Sequence, residues 1–276
     1  MSAVLLYNEG LSNLLIYGRL LARHPELFSA VIEVPSLPVS GTARRTRIVD
    51  KLRQASWLYL LFNVVVISFW NVVATIRGLT IRALAKRIGI PFHSFQSQAE
   101  IAAWLANRRP VWILNGSGII MNQALLQIPT AGILNFHCAP LPEYRGAANY
   151  IWIVADGLPE THATLHYVDT GLDTGDVILR TPPVAITPGK SVFSLWRDLR
   201  LHAADCLESV APALKSGERL PATPQDHSRG TARSFPGRKD VRRALDRGHD
   251  MFRAGDIIWL LKAILAGGRF FGISRP

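Results

Sequence analysis

The chain has little from which cysteine or metal chemistry could be built. Two cysteines, Cys138 and Cys206, stand among 276 residues. That is too few for a disulfide framework or a cysteine-rich zinc site, so a reducing compartment is expected. There is no H-E-x-x-H and no clustered Cys/His spacing, so no metal is indicated. The first apolar run, Ala3–Tyr7, leads into Asn8-Glu9-Gly10-Leu11-Ser12. This is neither G-x-G-x-x-G nor a Walker loop, and a dinucleotide or nucleoside triphosphate has no evident cradle. Internal repeats and low-complexity tracts are absent. The opening MSAVLLYNEG lacks a basic stretch, which predicts no secretory leader. Acidic residues are scarce: 20 Asp and Glu against 31 Lys and Arg, a formal net charge of +11.

What is present is enough apolar material for a large core. Hydrophobic residues make up 49% and charged residues 18%, which excludes global disorder. The positive charge is concentrated. Residues 41–87 hold nine Lys/Arg and one Asp, and residues 221–276 hold eleven Lys/Arg and five Asp. The remaining body is mildly acidic. Nucleic acid, anionic lipid or a phosphorylated substrate would each suit such basic attachments.

The apolar pattern reads as alternating strands and helices. Ala3–Tyr7 and Ser29–Val34 are short buried strands, with a helix over Leu14–His24 between them. Strand, helix, strand at this spacing argues for a parallel sheet. The pattern breaks between about Gly41 and Gly89, then resumes. Strands are expected at 91–95, 111–114, 132–136, 163–168, 176–180 and 184–186. Helices are expected at 97–107, 121–127, 148–156 and 191–214, the last with Ser191 as its cap. Pro, Gly, Ser and Arg dominate 216–239, which reads as a linker or extended arm. Short helices follow at 241–247 and 256–266. The expected fold is α/β, a Rossmann-like, mostly parallel sheet flanked by helices. Residues 1–215 form the main domain, with a helical insertion at about 41–89. Residues 216–276 form a basic C-terminal extension.

Polar chemistry is densest between residues 115 and 176. Asn115-Gly-Ser-Gly118 follows one apolar strand, and Asn135-Phe136-His137 ends the next. Alternation puts Asn135 and His137 on one side of that strand, at the carboxyl end where open parallel sheets bind ligands. Asp169-Thr-Gly-Leu-Asp173-Thr-Gly-Asp176 supplies an acidic turn after a later strand. An amide, an imidazole and a carboxylate brought together suit acyl transfer.

Asn135-Phe-His137, Leu141-Pro142-Glu143-Tyr144-Arg145-Gly146, Trp152 and Leu172-Asp173-Thr174-Gly175-Asp176 together resemble the 10-formyltetrahydrofolate-dependent formyltransferases. That family includes methionyl-tRNA formyltransferase, glycinamide ribonucleotide transformylase and sugar N-formyltransferases. The resemblance covers about 111–215 and, more generically, 1–35. It implies that Asn135 and His137 stabilise the oxyanion formed when an amine attacks the formyl carbon. Asp173 would hold His137 and help manage the proton leaving the amine. Asn115, Gly116, Ser117, Gly118, Ile119 and Ile120, with Val168 and Asp169, would line the pterin slot. Ala139, Pro140, Leu141 and Pro142 would flank the folate. The sequence departs from the family at Cys138-Ala139-Pro140, where many members have Ser-Leu-Leu, and at Asn149, where Pro is frequent.

The resemblance implies 10-formyltetrahydrofolate as formyl donor and a small-molecule amine as acceptor, in a cytoplasmic enzyme. A hydrolase of the same fold and a non-catalytic binding module are the alternatives. A tRNA acceptor is less favoured, because the last 60 or so residues are Arg-rich and helical in pattern rather than those of a β-barrel. Cys138 is expected to pack away from the site, and His162 and His166 to be structural. Arg145 would bind an acceptor anion or anchor its loop. Residues 54–76 carry no charge over 23 positions, long enough to span a bilayer. Basic flanks on both sides, Arg44–Arg53 and Arg77–Arg87, argue against one crossing. A monotopic membrane element, a buried helix and a homodimer face remain, with the buried or partner-facing reading preferred. Residues 257–271 repeat the theme, and peripheral association with the inner face of the membrane follows if both elements bind lipid.

Overall fold

The computed structural model describes residues 2–34, 57–64 and 70–273. The basic flank Arg44–Arg53, together with 54–56 and 65–69 of the uncharged run, lies outside the described residues. In chain order the elements begin with β1 (Ala3–Tyr7), α1 (Leu11–Arg23), β2 (Phe28–Glu33), α2 (Trp57–Asn63), α3 (Trp70–Arg77), α4 (Ile81–Ile88) and β3 (Phe92–Ser94). There follow α5 (Gln98–Ala106), β4 (Trp112–Gly116), α6 (Gln123–Leu126), β5 (Gly132–His137), β6 (Tyr144–Gly146), α7 (Asn149–Asp156), β7 (Glu160–Thr161) and β8 (Thr164–Tyr167). The chain continues through β9 (Val177–Arg180), β10 (Val184–Ala185), α8 (Val192–Ser216), β11 (Thr231–Arg233), α9 (Arg238–Asp246) and α10 (Ala254–Ala266).

Seven strands form one sheet in the order β3-β2-β1-β4-β5-β8-β9. The first five run parallel, and β8 and β9 are antiparallel additions at one edge. Every residue of β1 is buried, because helices cover both faces of the sheet. Ala3, Leu5 and Tyr7 point into one core with α1, α7 and α8. Val4 and Leu6 point into the other, where Ile101 and Leu105 of α5 and Leu125 of α6 close it. The alternation of side chains along a strand therefore sorts a single apolar run into two cores.

Local chemistry sets the helix ends. Ser97 accepts from the Glu100 N–H at 3.2 Å and starts α5, and Ser191 accepts from the Ser194 N–H at 2.9 Å and starts α8. Each satisfies a donor that the first helical turn leaves free. Thr80 does the same for α4, accepting from the Ala83 N–H at 3.0 Å. The Glu9 carboxylate also accepts from the Ile81 N–H at 3.2 Å, so the loop after β1 docks the end of the insertion on the sheet. Burial raises the Glu9 pKa above the usual carboxylate value.

Two expectations change. The insertion, expected to be buried or partner-facing, is only partly buried among its described residues. Its described part is α2, α3 and α4, each with a narrow buried stripe such as Tyr59 and Phe62, or Trp70 and Ala74. Among the described residues no helix is long and apolar enough to cross a membrane. Residues 216–239 are also more than a linker. Within them β11 pairs in parallel with β6, Thr231 opposite Tyr144 and Arg233 opposite Gly146. Periodicity could not reveal a three-residue strand whose partner lies so far away in the chain.

Candidate active site

The carboxyl end of β5 presents Asn135 and His137 to a cavity of about 650 Å³. The cavity lies beside the break in strand order between β1 and β4, where an open α/β sheet leaves a crevice. Ser12 and Asn13 line it from α1, Gly116 and Gly118–Ile120 from the loop after β4, and Asp169 and Asp173 from the loop after β8.

Antiparallel pairing places His166 of β8 directly opposite Asn135. His166 Nδ1 lies 2.7 Å from the Tyr167 carbonyl oxygen. That oxygen only accepts, so Nδ1 carries the proton and Nε2 the lone pair. The Asn135 side-chain amide then donates to His166 Nε2 at 3.0 Å, which fixes the carboxamide's orientation and leaves its second N–H free. Burial first, and the nearby His137 second, push the His166 pKa down to about 4, so the ring is neutral at neutral pH.

His137 is held in the same way. Its Nε2 lies 2.6 Å from the Tyr144 carbonyl oxygen and must donate to it. Nδ1 faces Asp173 Oδ2 at 3.5 Å. Asn149 closes the far side of the ring, donating to the Gly146 carbonyl at 2.9 Å with its Nδ2 3.0 Å from His137 Nε2. Asp173 also accepts from the Gly146 N–H at 2.8 Å. Its φ of 54° is a left-handed backbone that Asp tolerates better than most residues.

The acidic loop is self-clamped. Asp169 accepts from the Gly171 N–H at 3.0 Å and the Thr174 hydroxyl at 2.6 Å. A Cβ on Gly175 would meet the Tyr167 carbonyl oxygen at 1.9 Å, so only glycine lets the loop fold back on β8. The C-terminal segment braces both halves of the site. Gln225 donates to the carbonyl oxygens of Asp173 at 3.1 Å and Gly175 at 2.5 Å. The Arg233 carbonyl accepts from the Ala147 N–H at 2.9 Å.

The expected residues separate into three groups. Asn135, His137 and Asp173 come together at the cavity. Asn115, Gly116, Gly118, Ile119, Ile120, Val168 and Asp169 line it, whereas Ser117, Ala139, Pro140, Leu141 and Pro142 do not. Ser117 is buried and holds the turn, donating its hydroxyl to the Asn115 side chain at 2.6 Å. Ala139 and Leu141 are wholly buried, and the Ala139 carbonyl accepts from the Thr164 hydroxyl at 2.9 Å. Cys138, expected to pack away, is in the cavity wall. Burial pushes its pKa up, so it stays a thiol. Arg145 donates to the Gly230 carbonyl at 3.2 Å and anchors the loop.

Sequence reasoning missed three contributors. His166, expected to be structural, lines the cavity, and only the register of β8 reveals it. Gln225 had no sequence signal. Arg200 of α8 reaches the cavity wall, stacks over Trp196 at 4.0 Å and donates to Ser12 Oγ at 2.8 Å.

The comparisons agree with this geometry. The formyl transferase family profile matches residues 71–209, about half of the chain. The methionyl-tRNA formyltransferase of Trichlorobacter lovleyi is 34% identical over 150 residues, 53% of this chain and 47% of that protein. That of Sorangium cellulosum is 34% identical over 191 residues, 64% of this chain and 60% of that protein. The chain spans about half the length of the curated relatives it matches. The fold resembles glycinamide ribonucleotide transformylase 1 of Symbiobacterium toebii, with a TM-score of 0.53 at 17% identity over 81% of this chain and 94% of that one. It also resembles an N-formyltransferase of Helicobacter canadensis in complex with folinic acid and dTDP-3-aminofucose, with a TM-score of 0.56 at 15% identity over 87% of this chain and 72% of that one. The profile match over half of the chain carries one assignment, with which the sheet order agrees: the chain belongs to the formyl transferase family.

Proposed function

We propose that the protein transfers a formyl group from 10-formyltetrahydrofolate to the primary amine of an acceptor. The observation that carries this reading is the approach of Asn135 and His137, from the end of β5, and Asp173, from the loop after β8, to one cavity. The donor supplies an activated formyl carbon. Its ring would be held by the aliphatic side chains of Ile119, Ile120 and Val168 and the open backbone at Gly118, all of which line the cavity.

The chain's own residues then divide the work. The Tyr144 carbonyl holds a proton on His137 Nε2, so Nδ1 is the atom that accepts the proton released by the attacking amine. Asp173, 3.5 Å away, compensates the imidazolium that results. The N–H of Asn135 not used by His166 would donate to the oxyanion as it develops, and the proton on Nδ1 would pass to N10 of the donor as the bond between N10 and the formyl carbon breaks. Placing such an oxyanion donor in advance is worth about 100- to 1000-fold in rate. Orientation supplies much of the remainder.

An acceptor bearing an anionic group fits Arg200, which is held in the cavity wall by Ser12 and Trp196. The Helicobacter canadensis neighbour, bound to a nucleotide-linked amino sugar, supports a small anionic amine. The curated relatives support methionyl-tRNA as the second reading. The test is incubation with 10-formyltetrahydrofolate and a panel of amines that includes nucleotide-linked amino sugars and methionyl-tRNA. The expected result is a formylated product detected by mass, formed about 100- to 1000-fold more slowly by Asn135→Ala. Rapid formate release with no acceptor present would assign a hydrolase instead, and no turnover of donor under any condition would reject the reading.

A further inference from the structure

The insertion and the C-terminal tail are far apart in the chain but share a piece of surface. Phe62 of α2 packs on Phe252 at a centroid distance of 5.1 Å, just before α10 begins. Phe193 links the group to Trp259 of α10 at 6.0 Å. From the other side, Trp70 of α3 meets Phe271 edge-on at 5.8 Å, and Arg77 donates to the Leu265 carbonyl at 3.5 Å. The three helices are thus anchored by aromatic side chains turned inward.

Their outward faces are apolar too. Trp57 is 66% exposed, Ile76 78% and Leu265 77%, and Leu61, Val72 and Leu261 are exposed beside them. A surface helix of a globular protein ordinarily turns charged and polar side chains outward. Here α2 and α3 contain no acidic residue, and the one in α10, Asp256, is buried and caps its own helix by accepting from the Arg253 N–H at 2.8 Å. Large exposed apolar surface of this kind marks an interaction site.

We propose that this face, made of α2, α3 and α10, docks on an anionic lipid bilayer as a shallow, non-crossing element. Charge selects the partner. Arg77, Lys262 and Arg269 lie on or beside the face, and none has a carboxylate within ion-pair distance among the described residues. Elsewhere in the tail Arg229, Arg233, Arg243 and Arg253 are each paired with an acid. Cations with no carboxylate partner among the described residues, around an apolar face whose described helices expose no acid, complement anionic headgroups.

The lack of polar handles separates lipid from protein. A protein interface ordinarily carries about ten hydrogen bonds. Here the Thr75 hydroxyl is already committed to the Asn71 carbonyl at 2.7 Å, and the other outward side chains are mainly aliphatic. Trp57 is the type of residue that settles at a headgroup boundary. Among the described residues no helix is long and apolar enough to cross, and the proposed docking is in the interface rather than through it. Phe235, which lines the catalytic cavity, packs on Tyr59 of α2 at 6.2 Å, so docking brings the cavity mouth beside the bilayer. The proposal is independent of the chemistry inside the cavity.

The test is co-sedimentation of the full chain with phosphatidylcholine vesicles, with and without phosphatidylglycerol. Binding is expected to be about tenfold or more tighter on the anionic vesicles at low salt and to weaken as salt is added. Trp57 emission is expected to shift to the blue on binding, the shift being lost in Trp57→Ser. The double substitution Leu261→Glu with Leu265→Glu is expected to lower anionic-vesicle partitioning by about tenfold or more, with thermal midpoint and formyl transfer unchanged. Val72→Ser with Ile76→Ser provides a second, milder pair. Failure to sediment with anionic vesicles overturns the proposal, as does binding that ignores both pairs of substitutions. Equal binding to neutral vesicles overturns its anionic part. A dimer that both pairs dissolve, without vesicle binding, assigns the face to a second copy of the chain.

Discussion

Gln225 donates its side-chain amide to the backbone carbonyl of Asp173 at 3.1 Å, across 52 positions of sequence. The same nitrogen reaches the Gly175 carbonyl, so one buried side chain fixes both ends of the turn that aims the Asp173 carboxylate. Gln225→Ala leaves two carbonyls without this donor and is expected to cost about 1–3 kcal/mol of stability. It is also expected to lower kcat more than it raises KM for the donor. Chemical denaturation and steady-state kinetics check both, and unchanged kcat would show that Asp173 needs no such brace.

Gly146 joins the tail to the site by close approach. Its φ is 96°, and a Cβ there would meet the Arg233 carbonyl oxygen at 2.2 Å. The contact is backbone against backbone, so no side chain can move aside. Gly146→Ala is expected to destabilise the fold by more than about 1 kcal/mol and to disturb the N–H that Asp173 accepts. The denaturation midpoint and the rate should fall together. A variant of wild-type stability would mean that β11 is not held against β6 in solution.

His166 predicts an acid limb in stability. Its folded pKa of about 4 lies below the ordinary histidine value of 6.5, so the unfolded chain takes up this proton first. The stabilisation is complete above about pH 6.5, is lost as pH falls toward 4, and changes no further below that. The shift corresponds to roughly 3 kcal/mol. In His166→Gln the thermal midpoint is expected to fall less steeply over that window. Parallel curves for wild type and variant would contradict a neutral buried ring.

Asn135→Ala removes one oxyanion donor and is expected to reduce turnover by about 100- to 1000-fold while donor binding changes little. Equilibrium titration with a non-transferring folate separates the two effects. A large loss of folate affinity with normal turnover of bound donor would move Asn135 from chemistry to binding.

Sensitivity of the tail to substitution is expected to follow its pairing rather than its charge. Arg233 bridges to Asp156 at 2.8 Å, and the Tyr144 hydroxyl donates to that carboxylate at 3.0 Å. Arg233→Ala is therefore expected to loosen Tyr144, whose carbonyl holds His137. Exposed Arg242, paired only with Asp246 in its own helix, is expected to change stability by no more than about 0.5 kcal/mol when replaced by Ala. Equal effects of the two, read as thermal midpoints, would reject the link.

The sequence by itself determined the alternating strands and helices, the parallel core strands and the cap at Ser191. These are local properties: period, capping chemistry and chain punctuation act within a few residues. The trio that meets at the cavity was also legible, because Asn135, His137 and Asp173 keep a recognisable order and spacing. Tertiary structure alone decided which neighbours serve them. His166 faces Asn135 through antiparallel register, Gln225 reaches Asp173 through a returning segment, and Ala139 and Leu141 are buried outside the cavity lining. The insertion shows the same division. Its apolar composition was plain, but which side chains faced inward depended on aromatic contacts with the tail, and no local pattern encodes a contact between segments some two hundred residues apart.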